Sequence, residues 1–103
     1  LGLDPRPTAI FCASDYLAVG ALAAATAHSL SVPGDVSIIG FDDVEFARHA
    51  RPPLSSVRQP LHEIGSAAAS SLIAQIETGK AGPTRILLPT SLVLRESTAA
   101  PRG

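Results

Sequence analysis

Methionine is absent from the 103 residues, cysteine occurs once, and Lys80 is the only lysine. Each shortage excludes something. With Cys12 alone no internal disulfide can form, so the fold must be held by burial, which suits a reducing compartment. Cys12 sits in an apolar run, where a free thiol packs as a small hydrophobe. No Lys/Arg cluster exists, and DNA-binding surfaces need a basic stripe that displaces counterions from phosphates. If a parent protein binds DNA, this segment does not do it. No apolar run reaches the roughly 18–20 residues of a membrane span. Leu1 to Ala13 lacks the basic start and long apolar centre of a signal peptide. A chain opening Leu1-Gly2-Leu3 without an initiator reads as a piece of something larger. His28, His49 and His62 make no metal-ligand spacing with Cys12 and read as surface residues. No G-x-S-x-G elbow and no phosphate loop is present, so no catalytic constellation, cofactor or metal is expected.

The residues that are there describe a thin globular core. Hydrophobic residues make up 46%, charged residues 17%, and the net charge is −1. A chain this size buries roughly 60–70% of its extended surface on folding. Thr8 to Ala13 reads as a strand buried on both faces. Ser14 and Asp15 follow as N-cap residues, and Tyr16 to His28 as a helix with Leu17, Ala21, Ala24 or Ala25, and His28 on one face. Gly20 and the alanines allow close approach of a neighbour. Val32-Pro33-Gly34-Asp35 is a turn. Val36 to Phe41 is a second buried strand ended by Asp42 and Asp43, and Val44 to Ala50 suits one or two helical turns. Ser55 to Arg58 is a short third strand. Leu61 to Thr78 is the clearest helix, with Leu61, Ile64, Ala68, Leu72 and Ile76 as one apolar stripe and Gly79 as its stop. Arg85 to Leu88 and Ser91 to Glu96 read as two short strands, and the tail from Ser97 as frayed. Strands alternating with helices imply an α/β fold with a largely parallel sheet flanked by helices.

Open parallel sheets bind ligands beyond the carboxyl ends of their strands. Two strands here end in polar residues, Ser14-Asp15 and Asp42-Asp43, which the topology should bring to one edge. Carboxylates there accept hydrogen bonds from hydroxyl or amide groups, so a sugar or nucleoside suits them. Asp15 and Asp43 have a competing reading as helix caps. Asp42 directly ends a buried strand, so a ligand role is less easily dismissed there. Adjacent strand residues point to opposite faces, which argues against a shared metal or acid–base pair. Arg48, Arg51 and Arg58 are left between pairing with these acids and simple solvation.

Several stretches resemble the lactose-repressor/galactose-repressor family of bacterial regulators. They are Pro7 to Phe11 followed by Ala13-Ser14-Asp15; Val32 to Asp43; Pro52 to Pro60, with serines at 55 and 56 where the family usually has threonines; and Leu92 to Thr98. The match runs from about Pro7 to Thr98 in the family's order and spacing. The resemblance implies a two-lobed sensor with the type I periplasmic-binding-protein fold, downstream of a helix-turn-helix that is absent from this chain. It implies that 7–57 belong to the C-terminal lobe, 59–90 return to the N-terminal lobe, and 91–98 rejoin the C-terminal lobe. A small polar effector would lie in the cleft, in a homodimer or tetramer, while the upstream region holds operator DNA in the cytoplasm, away from membranes.

By the same resemblance Asp42 matches the effector-contacting acid. Ser14 stands where an asparagine is frequent, Tyr16 matches a cleft-lining position, and Leu61 matches one that is often aromatic. Asp15 matches the family's usual Asp and keeps the cap as its main role. Ser29 stands where glycine is common. The helix from Tyr16 and the segment Val44 to Ala50 match dimerisation surfaces, with packing inside the lobe as the other use of Ala21, Ala24 and Ala25. The stripe on Leu61–Thr78 then lacks its natural cover, so the chain alone should be marginally stable or recruit another chain. The alternative function is a fragment of a periplasmic sugar-binding protein of a transporter. An α/β enzyme is the third reading, and no nucleophile–base or metal constellation supports it.

Overall fold

The computed structural model describes residues 5–82 and 85–101. Four strands form one sheet in the order β1 (Ala9–Phe11), β2 (Ser37–Asp42), β3 (Ser55–Arg58), β4 (Ser91–Val93). The first three are parallel, with Ile10 beside Ile38 and Gly40 beside Ser56. β4 runs antiparallel to β3, with Val57 beside Leu92. Helix α1 (Asp15–Ala27) links β1 to β2, and a short 3-10 helix, Glu45–His49, lies between β2 and β3. Helix α2 (Leu61–Thr78) lies between β3 and β4. The predicted α/β fold with a largely parallel sheet is the observed one.

The chain divides into two compact units. Unit 1 is Leu1–Arg58 with Ser91–Gly103, and unit 2 is Gln59–Thr90. The core lies in unit 1. Ala18, Leu22 and Ala25 step along α1 by three and four, and with Cys12, Val36, Ile38, Ala47 and Leu54 they form one buried cluster. The buried face of α1 is thus Asp15, Ala18, Leu22 and Ala25, not the predicted one through Leu17 and His28. Both faces are rich in alanine and leucine, so periodicity alone did not choose between them. Ala25 is used within the unit, whereas Gly20 is exposed with open space around it.

Three local features correct the sequence reading. β1 is an edge strand with Ala9 and Phe11 exposed, although its apolar run suggested burial on both faces. A run of apolar residues records the capacity for burial, and a second neighbour must supply it. Arg85–Leu88 is not a strand, because no described segment offers it a ladder. The described part of the tail is pinned, not frayed. Ser97 is fully buried, its hydroxyl donates to the Ile38 carbonyl at 2.6 Å and accepts the Ser55 N–H at 2.8 Å, and its carbonyl accepts the Ile38 N–H at 2.9 Å. Ser97 therefore joins β2 to β3, and Ser37 holds Ala99 beyond it.

Helix ends follow local chemistry. The Ser14 hydroxyl accepts the Leu17 N–H at 3.2 Å and caps α1. At the other end Ser29 is left-handed (φ 57°), Ser29 N–H reaches the Thr26 carbonyl and Leu30 N–H the Ala25 carbonyl. This is a Schellman closure with serine where glycine is favoured. Helix α2 stops at left-handed Gly79, as its sequence indicates. In the turn after α1, Asp35 accepts both the N–H and the hydroxyl of Ser31.

Candidate functional site

The carboxyl ends of β1 and β2 bring Ser14, Asp15, Asp42 and Asp43 to one edge of the sheet. Cys12 N–H extends the pairing to the Ile39 carbonyl at 2.8 Å, which leaves Ser14 at the rim. A direct link follows, because the Val44 N–H donates to Asp15 Oδ2 at 2.8 Å. At Asp42 (φ 108°) and Asp43 (φ 56°) the backbone is left-handed, so the alternating side-chain directions of a strand stop here. Asp42 closes β2 opposite Arg58 and is half-buried.

The two neighbouring acids have structural roles other than capping. Asp15 is fully buried, and Ser14 is the residue that caps the helix. Asp15 Oδ1 accepts the Ser56 hydroxyl at 2.7 Å, and Ser56 in turn accepts the Asp43 N–H at 3.0 Å. The Asp43 side chain is nearly buried and does not cap the 3-10 helix, whose start has no side-chain cap. Asp43 Oδ2 accepts from Arg58 Nε at 2.8 Å. Its Oδ1 lies 2.7 Å from Arg95 Nη2, a charge contact off the ideal hydrogen-bond direction. Burial pushes the Asp43 carboxyl up, but Arg58 and Arg95 outweigh it and hold it below the usual carboxylate range. Of the arginines weighed from sequence, Arg58 pairs, while Arg48 and Arg51 are exposed. Arg95 was missed, because it lies 52 positions from Asp43 and only β3–β4 pairing brings it near.

Tyr16 is 70% exposed on the first turn of α1, its ring 5.0 Å from that of Phe46 in a tilted contact. This pair joins α1 to the 3-10 helix. Leu61 opens α2 in unit 2 and is also exposed. The structure thus brings Ser14 and Asp42 to one edge within unit 1, with Tyr16 on the adjoining turn. The sequence reading gave Gly40 and Ser56 no role at the site. A glycine inside a strand pattern is a signal of close approach. Here Gly40 faces Asp15, and a Cβ would overlap Asp15 Oδ1 and sit 3.1 Å from its Cα.

Other chemistry is sparse. Among the described residues no three His, Cys, Asp or Glu converge as metal ligands, and no helix is long and apolar enough to cross a membrane. Burial pushes the Cys12 thiol up, which makes it a poor nucleophile. Unit 2 carries a groove beside α2 lined by small side chains such as Ala67, Ser71 and Ala74, with Ile86 across from them.

Residues 2–98 match the family of periplasmic binding protein-like domains, and the chain belongs to that family. Its relatives are repressors of the lactose-repressor type. The ribose operon repressor of Haemophilus influenzae is 45% identical over 92 residues, 89% of this chain and 28% of that protein. Among solved structures, the transcriptional regulator CelR–cellobiose complex superposes with a TM-score of 0.85 at 40% identity, covering 90% of this chain and 28% of that one. A dimeric Lac repressor lacking 11 C-terminal residues gives 0.84 at 38% identity, covering 93% and 35%. The chain therefore spans less than a third of the curated relative it matches.

Proposed function

We propose that this chain is the effector-sensing and oligomerisation part of a bacterial transcription repressor that responds to a sugar or nucleoside. The observation that carries the reading is the acid corner at the carboxyl ends of two parallel strands, in a chain 45% identical to a repressor over 89% of its length. Unit 1 would be the C-terminal lobe and unit 2 the part that returns to the N-terminal lobe, a division supported by the boundaries at Arg58 and Ser91. Asp42 would accept from effector hydroxyl groups. Ser14, Tyr16 and Leu61 would be further effector contacts. Operator DNA would be held by a helix-turn-helix region outside these residues, in a homodimer or tetramer working in the cytoplasm. The transporter reading shares the fold, but the ribose operon and Lac relatives are repressors, which favours the regulator. No catalytic step is assigned.

The reading is tested on the whole protein by calorimetric titration with D-ribose, cellobiose and adenosine, and by DNA binding with and without the ligand that binds. Effector should change operator affinity, since coupling requires different affinity in two states. Asp42→Asn should weaken the ligand by at least about tenfold, the cost of losing a charge-assisted hydrogen bond, with the fold intact. Unchanged affinity removes Asp42 from the site.

A further inference from the structure

Asp15 is fully buried, and the cap it was expected to supply comes from Ser14. Burying a carboxyl group is unfavourable unless its oxygens find partners. Both do, and both partners lead to the same place. Val44 N–H binds Oδ2 directly, and Asp43 N–H binds Ser56 Oγ, whose proton goes to Oδ1. The two amides that follow Asp42 are thus held by one side-chain pair. The direction of the relay is fixed, because the Ser56 hydroxyl has a single proton and spends it on Asp15, leaving its oxygen to accept. Asp42 and Asp43 need this hold. Both have left-handed φ, which residues bearing a Cβ leave unless their surroundings over-determine the conformation. Gly40 completes the arrangement, since any side chain there would displace Asp15.

We infer that Asp15, acting through Ser56, is a positioning residue for Asp42. It locks the corner after β2 and so fixes where the Asp42 carboxyl group is presented. The inference rests on the reading of Asp42 as an effector contact. It assigns Asp15 no contact with ligand.

The test uses the whole protein with Ser56→Ala, Ser56→Thr, Asp15→Asn and Asp42→Asn. Hydrogen exchange is followed in the peptide spanning Phe41 to Phe46, and affinity is measured for D-ribose, cellobiose and adenosine. Ser56→Ala should speed exchange in that peptide and weaken the bound probe by roughly tenfold, the effect of one lost buried hydrogen bond to a carboxyl group. Ser56→Thr keeps the hydroxyl and should restore both. Asp15→Asn should resemble Ser56→Ala, since an amide nitrogen cannot accept. If Asp15→Asn fails to fold, the serine pair still decides. Asp42→Asn should weaken binding. Slow exchange in Ser56→Ala, or fast exchange with full affinity, overturns the positioning role while the Asp42 reading stands. Full affinity in Asp42→Asn, or no binding of any probe, overturns the Asp42 reading and the inference with it.

Discussion

Helices α1 and α2 are made from similar residues and have opposite fates. Each is rich in alanine, and each carries two leucines. Yet α1 buries Asp15, Ala18, Leu22 and Ala25, whereas α2 buries nothing. The better stripe belongs to the exposed helix, where Leu72 is 58% and Ile76 73% exposed. Amphipathic spacing tells that a face wants covering. Whether it is covered depends on a neighbour, and α1 has β2 against it while α2 has none of comparable size among the described residues.

The widest way to sharpen this contrast is truncation in each unit. Leu54→Ala removes a fully buried side chain and should cost about 2–5 kcal/mol, whereas Leu72→Ala should stay within about 0.5 kcal/mol. Urea denaturation of the 103-residue chain measures both. Equal losses would mean that α2 is covered in solution, by a second copy or otherwise, and concentration dependence of the midpoint would then separate those cases.

Acid breaks unit 1 at a particular place. The folded carboxyl of Asp43 lies below its ordinary value of 3.8. Its ion pairs therefore add stability that is complete above the unfolded value and lost as pH falls through the folded one. Urea midpoints should decline over that acidic range, and Asp43→Asn should lower the midpoint at neutral pH while flattening the decline. A mutant with an undiminished acid slope would place the titration elsewhere. Unit 2 has no comparable buried ion pair among its described residues, so its helix content should not follow the same curve.

The smallest expected effect is at the end of α1. Ser29 is left-handed at a cost of about 1–2 kcal/mol. Ser29→Gly relieves it but loosens the unfolded chain, so a net gain of about 0.5–1 kcal/mol is expected in the same denaturation assay. A loss instead would show that the serine side chain is needed there.

Much of this was legible because it depends on near neighbours in the chain. Capping by Ser14, the stop at Gly79 and the bounds of α2 follow from short-range rules, and the parallel sense of the first strands from their alternation with helices. The meeting of Ser14 with Asp42 at one edge follows from the topology of parallel strands. The site's interior did not follow. Asp15 looked like a cap because position and residue type both suited one, yet its carboxyl group satisfies β3 and the corner after β2 instead. Asp43 looked similar and is an anchor for Arg58 and Arg95.

The amino-acid sequence by itself determined the fold class, the family, the order of elements and the acid that ends β2, because helix periods, apolar runs, turn residues and the Val32–Asp43 stretch are local in the chain. Only the tertiary structure decided which face of α1 is inside, that Ser97 joins two strands, and that Asp15, Ser56 and Gly40 meet beneath the corner. The physical reason is separation. Hydrogen bonds between residues 29 to 59 positions apart are set by strand register and by which face a helix turns inward, and a single chain read along its length contains neither.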